Sequence, residues 1–93
     1  MEEIPELRKK IDLIDEQILK SLRERQEVSR EIGRAKRKLK IQISDSKREN
    51  EVFGHVLQEA AELGLDTSKI RSIYREIISL CSNAQKDIPA PSV

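Results

Sequence analysis

The chain of 93 residues is short enough for a single domain, and its 37% hydrophobic and 38% charged residues are typical of a soluble helical protein. Only one Phe and one Tyr are present, which argues against a β-sandwich and a base-stacking surface, and a net charge of +1 leaves anion binding to the local placement of cations. The single cysteine, together with the lack of a signal peptide or a membrane span, predicts a cytoplasmic protein without an internal disulfide.

The first predicted element is one long helix over residues 4–39. Arg25 occupies a position in its apolar seam, and because burying an unpaired guanidinium is costly, we expect an anion there. Gly33 is the weak point of the helix, at a cost of about 1 kcal/mol relative to alanine in an exposed interior. The seam residues follow alternating steps of three and four: Ile4, Leu7, Ile11, Ile14, Ile18, Ser21 or Leu22, Arg25, Val28, Ile32, Ala35 and Leu39.

The predicted length of this helix indicates a dimer. A helix of about 35 residues is roughly 50 Å long, whereas a compact chain of this size is roughly 30 Å across. The apolar seam would therefore extend beyond its own domain. A two-fold symmetric homodimer is the simplest way to cover it.

The second predicted helix covers residues 46–63. Ser46 and Glu49 have the spacing of a capping box, and Asp45 is an equally good N-cap residue. Gly64 suits the left-handed position that ends a helix. The expected buried face is Val52, Phe53, Val56, Leu57, Ala60 and Leu63.

The third predicted helix covers residues 67–86 and begins after the capping residue Asp66. Residues 1–86 form the predicted domain, and residues 87–93, which contain two prolines, form a predicted flexible tail. The expected buried stripe of the helix is Ile70, Ile73, Tyr74, Ile77, Ile78, Cys81 and Ala84.

Two cations on the long helix are the first candidates for a binding site. Arg25 and Lys36 lie eleven positions apart, on one helical face, with α-carbons about 16 Å from each other. Their side chains could hold a small dianion. The alternative is that Lys36 extends into solvent while Arg25 pairs with Glu24 or Glu49.

Arg8 is a candidate only if the chain dimerises. It lies about 25 Å along the axis from Arg25 and cannot reach it within one chain. In an antiparallel dimer, Arg8 of the partner subunit could complete the cation cluster. Taken alone, Arg8 is more typical of a surface residue.

The two shorter helices contribute further candidates. Asp45, Arg48 and Glu49 share one face, so that Arg48 is either an anion donor held by Asp45 or half of a surface ion pair. Cys81 and Gln85 share a face of the third helix, where the amide is either a ligand or part of a fraying end.

Several common site types are not predicted. One histidine without a suitable partner does not indicate a metal site or a serine triad, and no glycine-rich phosphate loop is present. The basic run over residues 34–40 could contact nucleic acid, but it is more typical of a solvated helix end. We therefore expect no metal, no cofactor, no nucleic acid and no membrane partner.

Over residues 5–86 the chain resembles the all-helical class of chorismate mutase, a dimeric enzyme with one long and two shorter helices. The matching segments are residues 7–12, 14–15, 24–25, 31–36, 45–49, 81 and 85. The resemblance implies an all-α fold in which three helices form an intertwined antiparallel homodimer. It also implies a monofunctional isomerase that rearranges chorismate to prephenate in phenylalanine and tyrosine biosynthesis.

The same resemblance implies roles for individual residues. Arg25 and Arg8 of the other subunit would hold the substrate carboxylates, and Lys36 and Gln85 would donate to the ether oxygen. Arg48 and Asp45 would bind or position the region around the ring hydroxyl, and Glu49 would accept a hydrogen bond from it.

Cys81 departs from the family pattern, because family members commonly place serine there to bind a carboxylate, and a thiol is a weaker donor.

The nearest alternative function is isochorismate pyruvate lyase, which shares the fold. A non-enzymatic helical module for dimerisation or nucleic-acid binding is the other alternative.

Overall fold

The computed structural model describes residues 3–86, and within them the chain forms three helices and no strand. They are α1 (Ile4–Leu39), α2 (Ser46–Glu62) and α3 (Thr67–Lys86). The predicted all-α architecture of one long and two shorter helices is confirmed. The second helix ends one residue earlier than predicted, since Leu63 is its C-cap. The predicted flexible tail, residues 87–93, lies outside the described residues.

Both ends of α1 are defined by local hydrogen bonds. Glu3 and Glu6 form a capping box in which the Glu3 N–H donates to Glu6 Oε2 at 2.9 Å. At the other end, Lys40 has a left-handed backbone with φ 57°, and the N–H of Ile41 donates to the carbonyl of Lys36 at 2.9 Å. These bonds satisfy backbone groups that a helix end leaves unpaired.

The N-cap of α2 is Asp45 rather than Ser46. Its Oδ1 accepts a hydrogen bond from the Arg48 N–H at 3.1 Å. The helix is followed by Gly64, whose φ of 74° is the left-handed conformation expected from the sequence. A capping carboxylate therefore fixes the start of α2, and this carboxylate belongs to a candidate site residue.

Asp66 fixes the start of α3. Its Oδ1 accepts hydrogen bonds from the Ser68 hydroxyl at 2.8 Å, the Ser68 N–H at 3.0 Å and the Lys69 N–H at 3.1 Å. The Ser68 hydroxyl, followed by the backbone donors, lowers the pKa of this carboxyl below its ordinary value. Asp66 thus caps α3 in its ionised form.

The third helix holds the protomer together, because α3 packs against both α1 and α2 while those two do not pack against each other in the described residues. The buried residues are small: Ser29 and Gly33 on α1, Ala60 on α2, and Cys81 and Ala84 on α3. Small side chains allow helices to approach closely. The sequence suggested that Gly33 lies in an exposed helix interior, but the structure buries this residue.

On the two shorter helices, two residues of the predicted apolar faces are exposed. Leu63, the C-cap of α2, is 75% exposed, and Ile73 on α3 is 52% exposed. The remaining residues of these predicted faces are buried or half-buried.

The long helix extends well beyond the other two. The protomer measures 60 × 30 × 15 Å with a radius of gyration of 17.0 Å, against about 12 Å for a compact chain of this length. Seam residues in the first half of α1 are 43–63% exposed: Ile4, Leu7, Ile11, Ile14 and Ile18. The seam is therefore uncovered within one protomer. In the described part of the chain, no helix has the length and apolar character needed to cross a membrane.

Candidate functional site

A cavity of about 390 Å³ lies between the C-terminal half of α1, the start of α2 and the end of α3. Its position follows from the packing, because α3 separates α1 from α2 without closing the gap between them. Seven of the eight candidate residues line this cavity: Arg25, Lys36, Asp45, Arg48, Glu49, Cys81 and Gln85. The structure thus brings together residues that are up to 60 positions apart in the sequence.

Lys36 is held inside the cavity by two acceptors. Its Nζ donates to the carbonyl oxygen of Ile43 at 2.8 Å and to Oε1 of Gln85 at 3.1 Å. The alternative in which this side chain extends into solvent is therefore wrong. Because an ammonium group has three donors, one N–H of Lys36 remains for a ligand.

The orientation of the Gln85 amide follows from its contact with Lys36. An ammonium group can only donate, so the amide must present its oxygen to Lys36. The NH₂ group of Gln85 therefore remains as a donor for the cavity. Gln85 is the penultimate residue of α3, is half-buried and accepts a hydrogen bond from Lys36.

Arg25 is half-buried in the cavity wall and forms no ion pair within residues 3–86. The alternative pairing with Glu24 or Glu49 is therefore not present. A partly desolvated guanidinium without a carboxylate partner favours the binding of an anion. Residues 3–86 do not supply the anion that the sequence led us to expect there.

The residues at the start of α2 are arranged differently from the prediction. Asp45 accepts the backbone N–H of Arg48, so its side chain does not hold the guanidinium of Arg48. That guanidinium instead lies 3.5 Å from Glu51 Oε2 on an exposed part of the surface. An exposed ion pair of this kind is worth at most about 1 kcal/mol, so Arg48 can exchange it for an anionic ligand. Glu49 is half-buried and lines the cavity.

Cys81 lines the cavity, whereas Arg8 lies away from it. Cys81 is only 3% exposed and forms part of the cavity wall on α3. Arg8 is exposed in the second turn of α1 and does not line the cavity of its own protomer.

Several residues of the cavity wall were not predicted as site residues. Two are serines: Ser29 on α1 and Ser82 on α3. Ser29 follows Arg25 by four positions and precedes Lys36 by seven, so helical spacing could have placed it on the same face. The others are apolar residues that surround the polar groups: Val28, Ile32, Ile43, Val52 and Ile78.

The cavity combines cations and neutral donors with an apolar wall. Three cations and two carboxylates line it, and the carboxylate of Asp45 is already engaged by the helix cap. His55 lies outside it on the surface, with Nε2 3.6 Å from Glu59 Oε1. No group of three potential metal ligands occurs among the described residues. This arrangement can bind a small organic dianion and stabilise charge that develops within it.

Comparisons with known proteins agree with this description. The family model for chorismate mutase type II matches residues 7–86. A bifunctional chorismate mutase/prephenate dehydratase of Aquifex aeolicus is 42% identical over 91 residues, which are 95% of this chain and 25% of the relative. A chorismate mutase of Methanocaldococcus jannaschii is 31% identical over 86 residues, which are 92% of this chain and 87% of the relative.

The chain therefore spans a quarter of the first relative and most of the second. No solved structure was found to be significantly similar. The family model covers nearly all of the described residues, including every candidate site residue from Arg8 to Gln85. On the match of its sequence, the chain belongs to the chorismate mutase type II family.

Proposed function

We propose that the protein is an isomerase that rearranges chorismate to prephenate. The observation that carries this proposal is the pair of Lys36 and Gln85, which offers two hydrogen-bond donors side by side in a cavity with further cations. Membership of the chorismate mutase type II family supports the same reaction.

The reaction breaks one carbon–oxygen bond while a carbon–carbon bond forms within the same molecule. Negative charge grows on the ether oxygen as its bond breaks. The remaining N–H of Lys36 and the NH₂ group of Gln85 are placed to donate to that oxygen. A donor fixed before the reaction stabilises such charge at little reorganisation cost.

Two hydrogen-bond donors can account for most of a large rate acceleration. A millionfold acceleration requires a barrier lower by about 8 kcal/mol, and one preorganised donor contributes roughly 3 to 4 kcal/mol. The two donors therefore supply most of the required stabilisation. Holding the substrate in its compact reactive conformation supplies the rest.

The charged residues bind the remainder of the substrate. Arg25 holds one carboxylate, with the bidentate geometry available to a guanidinium. Arg48 and Asp45 position the region around the ring hydroxyl. Glu49 accepts a hydrogen bond from that hydroxyl.

The site is completed by a second copy of the chain. The exposed apolar seam of α1 supports an intertwined antiparallel homodimer, because a long helix of the partner can cover it. In this arrangement the start of one α1 lies beside the middle of the other. Arg8 of the partner subunit then binds the second carboxylate of chorismate.

We place the enzyme in the cytoplasm, in phenylalanine and tyrosine biosynthesis, acting without a cofactor, nucleic acid or membrane partner. The charge of the substrate supports this location, because a dianion does not readily cross a lipid bilayer. The reaction itself needs no nucleophile, redox step or proton transfer.

The test follows the absorbance of chorismate after addition of the pure protein, with prephenate identified as the product. Lys36→Ala should lower kcat/KM by at least about a hundredfold, as expected for the loss of a preorganised donor. Lys38→Ala is the matched control, because Lys38 is exposed in the same last turn of α1 and does not line the cavity. It should retain full activity.

A parallel assay with isochorismate distinguishes the lyase alternative, which would release salicylate and pyruvate. A non-enzymatic nucleic-acid-binding module would instead bind DNA or RNA with an affinity that falls steeply with salt. A wild-type protein that leaves chorismate unchanged overturns the proposed function.

A further inference from the structure

Ser29 is the one polar residue that is buried among residues 3–86. It is only 6% exposed, in the middle of α1, and it lines the cavity. Its hydroxyl has no hydrogen-bond partner within residues 3–86. An unpartnered hydroxyl at such a position costs free energy unless something else satisfies it.

The hydroxyl is also in contact with open space. Within the described residues, every fully buried side-chain nitrogen or oxygen has a hydrogen-bond partner. Because the hydroxyl of Ser29 has none, it cannot be fully enclosed. The open space that this residue borders is the cavity, so the remaining accessible surface of the hydroxyl faces the ligand site.

The hydroxyl of a serine within a helix can also donate to the backbone carbonyl four residues earlier. Ser72 on α3 does so, with its hydroxyl 3.3 Å from the carbonyl oxygen of Ser68. Ser29 does not form the corresponding bond to Arg25. Its hydroxyl therefore remains available as a donor.

The position of Ser29 identifies the part of the ligand that it can reach. It lies about 6 Å along the helix from Arg25 and about 10 Å from Lys36, between the two cations on one face. Arg25 is placed to hold a carboxylate and Lys36 to donate to the ether oxygen. A ligand that spans both residues must pass in front of Ser29.

We infer that Ser29 is a further substrate-binding residue, whose hydroxyl donates a hydrogen bond to the bound dianion between the groups held by Arg25 and Lys36. This inference rests on the proposed function and adds a residue to the same site. A carboxylate oxygen offers an acceptor at such a position, and hydrogen bonds to charged groups are stronger than neutral ones. Cys81, across the cavity on α3, is a much weaker donor.

The test compares Ser29→Ala with Ser72→Ala, since Ser72 is an exposed helical serine away from the cavity. Ser29→Ala should lower kcat/KM for chorismate, and weaken the binding of prephenate in calorimetry, by roughly tenfold. Its ligand-free melting temperature should be unchanged or higher, because alanine favours the helix and no hydrogen bond within residues 3–86 is lost. Ser29→Cys keeps the size of the side chain and should behave like the alanine variant.

This combination separates a binding role from a packing role. A packing role would lower the melting temperature of Ser29→Ala together with its activity, and that result overturns the inference. Unchanged kcat/KM and unchanged prephenate binding also overturn it. The proposed function is tested separately with the wild type. A wild type that is inactive but binds prephenate more tightly than Ser29→Ala would overturn the proposed reaction and support the binding role of Ser29.

Discussion

Lys36 on α1 donates through Nζ to Oε1 of Gln85 on α3 at 3.1 Å, which joins the ends of two helices across the wall of the cavity. The contact also sets the orientation of the Gln85 amide. Because the oxygen of the amide is turned toward the ammonium group, its NH₂ group is presented to the ligand. The rate of the enzyme should therefore depend on a neutral donor that does not titrate.

Gln85→Glu tests this relationship. A carboxylate can still accept from Lys36, but it has no hydrogen to donate until it is protonated. We expect kcat/KM near pH 7.5 to fall by about a hundredfold, and the deficit to narrow as the pH falls toward about 5. The wild type should show no loss of rate from this position between about pH 5 and 8.

The measurement is a pair of pH–rate profiles, with Gln58→Glu as a control that adds the same charge on the exposed surface of α2. The control should follow the wild-type profile. A sharp acidic optimum in the wild type, or a variant whose rate rises with pH, would contradict the assigned role of Gln85.

Subunit mixing tests whether Arg8 acts in the partner's site. Arg8→Ala and Lys36→Ala homodimers should both have low activity, because each site of each dimer lacks one cation. In the mixed dimer, one site combines an intact Lys36 with an intact Arg8 of the partner subunit. Equal mixing produces about one half heterodimers, so the mixture should recover about one quarter of the wild-type rate.

The control for this experiment mixes Lys36→Ala with Gln85→Ala. These two residues belong to the same protomer, as their hydrogen bond shows. Each site of that heterodimer therefore carries one defect, and no activity should return. A lack of recovery in the mixture of Arg8→Ala and Lys36→Ala would show that Arg8 does not act across the interface.

Cys81→Ser replaces a buried thiol in the cavity wall by a hydroxyl, which is a stronger hydrogen-bond donor. We expect kcat to be retained and KM for chorismate to be unchanged or lower, measured by steady-state kinetics. A fall in kcat/KM of more than about tenfold would show that the thiol is needed for packing. The melting temperature of the variant, measured in parallel, identifies that outcome independently.

Asp66→Ala should lower the melting temperature at neutral pH, because α3 loses an ionised cap that accepts three hydrogen bonds. The pKa of Asp66 is lowered in the folded state, first by the Ser68 hydroxyl, so ionised Asp66 stabilises the fold above the ordinary aspartate pKa. This stabilisation is lost as the pH falls through the lowered pKa. The difference in melting temperature between wild type and variant should therefore shrink as the pH falls below the ordinary aspartate pKa.

The parts of the structure that were predictable depend on local chemistry. Helix bounds follow from caps such as Asp66 and from the left-handed position of Gly64, which involve residues only a few positions apart. The shared face of Arg25 and Lys36 follows from helical geometry alone. These features need no knowledge of how the helices pack.

The remaining features depend on packing between helices. The hydrogen bond from Lys36 to the carbonyl of Ile43 depends on the path of the loop after α1. The burial of Gly33 on α1 likewise depends on what packs against that helix. The partner of Arg48 is Glu51, whereas spacing equally suggested Asp45. For the same reason, the burial of Ser29 was not visible in the pattern of apolar residues.

The central position of α3 has a consequence for the protomer as a whole. In a closed bundle of three helices, side chains fill the space where the first helix meets the second. Here α1 and α2 each pack on α3 but not on each other, and the space between them is the ligand cavity. A bound dianion that contacts Arg25 on α1 and Arg48 on α2 would supply the missing third interface. A substrate bound there would be an interior component of the fold, and an occupied protein should be more rigid than an empty one.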